Sequence, residues 1–211
     1  MFTKELRETA VELAYGSGQV GVPWPWNVPD GTWTYESFES LPEDGNRYEV
    51  IGGRLTVSPP PVERHQAVSV NLIFQIVAWA KQTGSGRVYH APFAVVLSFL
   101  PPEQHYVEPD LLFISRERLS IIKGKNVQGA PDLIIEIPSP STARADWVDK
   151  KNAYEGGGVA HYWVVDPAGK SLTAFRLKDG KYEPAGSLEN DAVFEPEGFP
   201  GLRINLTEVW E

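Results

Sequence analysis

At 211 residues, 42% hydrophobic and 22% charged, the chain has the composition of an ordinary globular protein and enough length to bury a sizeable core. It contains no cysteine, which excludes disulfides, thiolate zinc sites and cysteine nucleophiles and leaves oxygen or imidazole to hold any metal. Its formal net charge of -9 argues against an extended Lys- and Arg-rich surface for phosphates, although metal-binding carboxylates contribute to such a charge because a bound cation neutralises them.

The opening MFTKELRETAVELAYGSG carries scattered charges and no unbroken apolar stretch, so neither a signal peptide nor a membrane anchor is expected, and the chain reads as a soluble protein of the cytoplasm. Leu6, Ala10, Leu13 and Ala14 fall at helical spacing and predict a weak amphipathic helix over 1–15. The Gly-, Pro- and Trp-rich run that follows predicts an irregular arm whose Trp24, Trp26 and Trp33 serve as packing anchors. We therefore divide the chain into an arm, 1–33, and one domain, 34–211.

RYEVIGGRLTVSP predicts a hairpin turning at Gly52-Gly53. Leu72, Ile73, Ile76, Val77 and Ala80 mark one face of a long helix over 62–82, ended by Gly84-Ser85-Gly86. RVYHAPFAVVLSF reads as strand broken at Pro92, and VEPDLLFIS and DLIIEI (132–137) as two further strands joined by a polar stretch that can cross or cap the sheet. N-cap candidates at 139–142 open a helix running to the triple glycine near 156. HYWVVD is a strand, SLTAFRLKDGKYE a hairpin around Asp179-Gly180, and the C-terminal segment docks on the core. The alternation predicts an α/β fold, a central mixed sheet flanked by helices.

Glu136 is the most informative residue, because a carboxylate within Leu133-Ile134-Ile135-Glu136-Ile137 is costly unless paired or metal-bound. The plain alternative is an edge-strand Glu facing water, which would also expose Ile134. Asp132 shares its face but lies roughly 13 Å away along an extended strand, too far for both to ligate one small cation at about 2.0–2.6 Å. Asp110, in Val107-Glu108-Pro109-Asp110-Leu111-Leu112-Phe113, can face Glu136 at about 5 Å if the two strands are neighbours; otherwise it is a turn residue after Pro109. On the next helix Asp146, Lys150 and Tyr154 are spaced i, i+4, i+8 and line one face. That face is either an exposed Asp-to-Lys pair or an ammonium reaching over Glu136.

Pro109-Asp110 followed by Glu136 in a buried strand resembles the PD-(D/E)XK superfamily of restriction-type nucleases. More narrowly, RYEVIGGRLTVSPPP, RHQ at 64–66, VEPDLLF, GAPDLIIEIPSPST, DWVDKKNAY and GVAHYWVVDP resemble the bacterial Uma-two family of restriction-endonuclease-like proteins, over roughly residues 34–208. The resemblance implies a restriction endonuclease-like fold, a magnesium-dependent phosphodiesterase site with manganese as a substitute, DNA as substrate and often a homodimer. By position Asp110 and Glu136 match the acidic metal ligands. The superfamily's usual lysine, two residues after the second acid, falls on Pro138, and Lys150 takes its place on the helix, with Lys151 as second choice. Glu49 matches a recurrent acidic position and is either an accessory metal contact or a solvent-facing strand Glu.

The chemistry is intelligible from the residues as well. Two carboxylates, with the Ile137 carbonyl as an extra ligand, suit a hard cation that polarises a phosphate and activates water, and an ammonium offsets transition-state charge. His65, opening the long helix, either contacts a phosphate there or makes a structural hydrogen bond. The leading expectation is a magnesium-dependent endonuclease hydrolysing DNA. Its rival is a catalytically inactive, nuclease-fold module associated with DNA or protein, favoured by the acidic charge and by Pro138.

Overall fold

The computed structural model describes residues 28–29, 31–42, 44–58, 60–98, 104–138 and 144–211, without the side chains of 144–147. The expected helix over 1–15 and the anchors Trp24 and Trp26 lie outside the described residues. Trp33 is 1% exposed and packs in a cluster with Tyr48, Val50, Leu55, Val96 and Tyr106.

Chain order explains most of the architecture. A short helix α1 (Tyr35–Glu39) starts at Thr34, whose hydroxyl and Ser37 cap each other's backbone. Strands β1 (Arg47–Ile51) and β2 (Arg54–Ser58) form the expected hairpin. Its two turn residues, Gly52 and Gly53, have φ of 58° and 70°, which side-chain-bearing residues adopt only at a cost. Helix α2 (Glu63–Thr83) ends at Gly84, whose left-handed φ of 64° closes the last turn. Strands β3 (Gly86–His90) and β4 (Ala94–Ser98) flank Pro92, and β5 (His105–Val107) and β6 (Leu111–Ser115) flank Pro109. The polar stretch after β6 forms a 3₁₀ turn (Arg116–Ile121) and β7 (Asn126–Gln128). β8 (Leu133–Glu136), helix α3 (Arg144–Gly157), β9 (His161–Asp166) and the hairpin β10 (Ser171–Lys178) and β11 (Lys181–Glu189) follow as expected. The closing segment contributes β12 (Val193–Phe194), β13 (Ile204–Asn205) and α4 (Leu206–Trp210).

The central sheet has six strands in the order β11-β10-β9-β8-β6-β3 and is mixed, since β8 runs parallel to β9 and antiparallel to β6. A second sheet of five strands, β2-β1-β5-β4-β7, packs beside it, and β7 joins through a parallel pairing with β4. Alternation decides which residues meet which layer. Leu111, Phe113, Leu133, Ile135 and Ile137 face α2, where Leu72, Ile76 and Trp79 are buried with the C-terminal Phe199, Leu206 and Val209. Leu112, Ile114 and Ile134 face the other way, onto Tyr154 and Val159 and onto Val95, Val107 and Val127 of the second sheet. Helices thus cover both faces of the central sheet.

Candidate active site

The interface between the two sheets positions the site. β6 and β8 pair antiparallel with Leu111 opposite Ile135, and one further step along that register sets Asp110 opposite Glu136. The Ile137 N–H seals this end of the ladder by donating to Asp110 Oδ2 at 2.7 Å. Glu136 takes the Ile134 side of β8 and therefore points at α3, where Lys150 Nζ approaches its Oε1 at 3.1 Å and Tyr154 donates its hydroxyl to the same oxygen. From the second sheet, β1 contributes Glu49, whose Oε2 lies 2.8 Å from Lys150 Nζ and whose Oε1 accepts the Glu108 N–H at 2.9 Å.

Asp110 has its own partners. Arg47 Nη2 lies 2.8 Å from Oδ1, and His65 Nε2 lies 3.2 Å from Oδ2. A carboxylate at this position only accepts, so Nε2 carries the imidazole hydrogen. Glu49, Asp110 and Glu136 are 2%, 3% and 7% exposed, a concentration of buried carboxylate that needs compensation.

The environments of the two facing acids drive them in opposite directions. Burial pushes Asp110 up, but the His65 hydrogen bond and the charges of Arg47 and Lys150 overcome it and hold the carboxyl below its usual range. Burial also pushes Glu136 up, the negative charges of Asp110 and Glu49 add to it, and Lys150 and Tyr154 only partly offset them. Burial alone would weaken the Lys150 ammonium, yet Glu136, Glu49 and Asp110 together keep it firmly protonated. A facing pair with one acid favouring the ionised and the other the protonated form is a common property of active sites.

Beside Asp110 opens a cleft of about 270 Å³, walled by Arg47, Glu108, His90 and the first turn of α2 with His65 and Gln66. The donor set of the site is all oxygen and suits a hard divalent cation. Among the described residues, however, no three acidic or imidazole groups stand in metal-holding geometry. The ammonium of Lys150 and the guanidinium of Arg47 lie against these carboxylates. The residues fit a metal in kind and hold their own cations instead.

The sequence profile of the Uma2 family, described as "Putative restriction endonuclease", matches residues 35–207. The chain belongs to this family. The Uma2 match contains every residue of the site just described. Among solved structures the chain is similar to one titled a putative nuclease belonging to DUF820 from Anabaena variabilis ATCC 29413, with a TM-score of 0.69 at 20% identity over 84% of this chain and 97% of that one. Curated proteins yield no match. The family is thus the one described as putative restriction endonucleases, and the fold is the one shared with that putative nuclease.

Of the residues singled out from sequence, Asp110, Glu136, Lys150, Tyr154, Glu49 and His65 come together in this Uma2 chain. Ile137 joins through its N–H on Asp110. Lys151 does not: its Nζ sits 4.0 Å over the Phe175 ring. The Asp146 side chain lies outside the described residues. Asp132 accepts the Ser115 N–H at 2.8 Å and pairs with Arg118 away from the site. Arg47 and Glu108 were not anticipated. The signal for Arg47 was its period-2 relation to Glu49, which puts both side chains on one face of β1.

Proposed function

We propose that the protein is a magnesium-dependent endonuclease that hydrolyses DNA phosphodiester bonds at Asp110 and Glu136, with manganese able to substitute. The observation that carries this reading is the buried junction of the two sheets, where Asp110 stands opposite Glu136 and Lys150 contacts the latter at 3.1 Å. When bound there, the cation polarises a phosphate oxygen and lowers the pKa of an attacking water. Asp110 and Glu136 would hold it, with Glu49, which shares Lys150 with Glu136, as an accessory contact. The Ile137 N–H and His65 fix the rotamer of Asp110, and the Tyr154 hydroxyl fixes that of Glu136. The Lys150 ammonium then faces the charge that grows on the phosphoryl oxygens. Water's oxygen bonds to phosphorus as it gives up a proton to solvent, one P–O ester bond breaks, and the departing oxygen takes up a proton from solvent in return.

Nicking of supercoiled plasmid DNA tests it. Asp110→Ala and Glu136→Ala should each abolish magnesium-stimulated cleavage while far-UV circular dichroism stays native, and undiminished cleavage by both variants overturns the assignment.

A second reading has its own supporting observation. Pro138 stands where the superfamily's lysine usually does, and the ion pairs around Lys150 close the site without a metal, as expected of an inactive nuclease-fold module that contacts DNA or protein. Manganese titration by calorimetry separates the readings, because an inactive module binds no cation through Asp110 and Glu136. Homodimeric assembly, which gel filtration with light scattering checks, and a cytoplasmic location belong to the same proposal. No helix among the described residues is long and apolar enough to cross a membrane.

A further inference from the structure

Lys150 sits where a catalytic lysine poised only for substrate would not need to be. Its Nζ lies 2.8 Å from Glu49 Oε2 and 3.1 Å from Glu136 Oε1, and it joins a carboxylate of one sheet to a carboxylate of the other. We propose that Lys150 is the metal-free site's internal counterion and that a divalent cation binds by displacing its ammonium from between Glu49 and Glu136, so that the lysine sets how tightly the site holds metal. This rests on the metal-site reading above and concerns a property that reading leaves open.

Three facts support displacement over coexistence. The oxygens that Lys150 Nζ now contacts at 2.8 and 3.1 Å, Glu49 Oε2 and Glu136 Oε1, are ones that a hard cation would take as ligands at about 2.0–2.6 Å, so ammonium and cation compete for the same atoms. The two carboxylates are almost wholly buried, and the Lys150 side chain is only 13% exposed, so little water screens an ammonium from a neighbouring cation. Glu136 is also held independently by the Tyr154 hydroxyl, and Glu49 by the Glu108 N–H, so both acids stay in place when the ammonium leaves. Asp110 is held in turn by Arg47, His65 and the Ile137 N–H.

The test titrates the full-length, nucleic-acid-free protein with Mn²⁺ by calorimetry and compares wild type with Lys150→Met and Lys150→Gln. Removing the competing charge should tighten Mn²⁺ binding at least about tenfold in both variants and enlarge the rise in melting temperature that Mn²⁺ produces. Should the neutral variants fail to fold, the wild-type protein itself answers. The ¹⁵N signal of the Lys150 ammonium, assigned by its loss in Lys150→Arg, should shift or exchange-broaden as Mg²⁺ is added. Variants that bind Mn²⁺ no tighter than a metal-binding wild type, or an ammonium signal untouched at saturating Mg²⁺, overturn the counterion role and leave the nuclease reading standing. Absence of cation binding in wild type and variants alike overturns both.

Discussion

Asp132 and Glu136 bracket the same four-residue strand and share its face by alternation, yet the fold treats them as different kinds of carboxylate. Asp132 meets the Ser115 N–H and the guanidinium of Arg118, and both partners of that ion pair remain partly in water, at 21% and 40% side-chain exposure. Glu136 is buried, shares Lys150 with Glu49, and faces a third acid across the ladder. One end of β8 ties down a loop with solvent close by. The other accumulates negative charge where solvent cannot compensate it, an arrangement costly to a mere scaffold and useful to a site that binds cations.

Activity gives the sharpest way to break this contrast. Glu136→Ala should lower magnesium-stimulated plasmid nicking at least about 100-fold, whereas Asp132→Asn should leave it within about threefold, because Asp132 touches nothing in the site. Equal losses at both ends would mean that β8 responds as a whole and that the chemistry does not reside at Glu136.

Stability comes next. Lys150→Ala leaves two buried carboxylates without their shared cation, and removing one partner of a buried pair costs about 3–5 kcal/mol. Urea unfolding of the metal-free protein measures it. A loss under about 1 kcal/mol, the range of exposed pairs, would place Lys150 in the same class as Arg118 and erase the distinction between the two ends.

Much of this is legible in the sequence. The run Leu133 to Ile137 marks β8 because an apolar stretch of that length reads as buried strand, and Glu136 stands out as its one charged member. The i, i+4 spacing of Lys150 and Tyr154 carried over directly, since a helix face needs no tertiary information. The second sheet was not legible. β5 and β7 are three residues each, too short for periodicity to register, and β7 pairs in parallel with a strand just over thirty residues earlier, Ala94 with Asn126. Arg47 was missed because its period-2 relation to Glu49 does not say that β1 begins beside Asp110, and an Arg at a strand start ordinarily belongs to solvent. Spacing and the family resemblance favoured Lys150 over Lys151, and the partner of Lys151, the Phe175 ring, lies on a strand beyond the reach of either argument.

The pH dependence of the metal-free protein sharpens the comparison on its more acidic end. Glu136 is raised from its ordinary 4.5 to about 7, chiefly by burial. The folded state therefore holds a proton that the unfolded state releases, and this contribution to stability, fully present below about 4.5, is lost as pH rises through about 7. Asp110 is lowered, so its contribution has the opposite sign and is lost only in acid, below its ordinary 3.8. In EDTA the wild type should thus lose stability relative to Glu136→Gln between pH 5 and 7.5, the amide having no proton to release. Parallel urea-denaturation profiles across that window would show that Glu136 ionises freely in the folded protein, as a solvated carboxylate does.

The smallest effect belongs to the other end of the strand. Arg118 reaches Asp132 at 2.9 Å and the Ala130 carbonyl at 2.6 Å, but its side chain is 40% exposed, and water replaces much of what it provides. Arg118→Ala should therefore cost no more than about 1 kcal/mol, and 0.5 M NaCl should shrink even that, because an exposed pair is screened. Asp132 keeps the Ser115 N–H in the variant, so its carboxylate is not stranded. A loss near the size expected for Lys150→Ala, insensitive to salt, would show that the loop between β6 and β8 depends on a desolvated pair. The two ends of β8 would then differ in their chemistry but not in what they contribute to the fold.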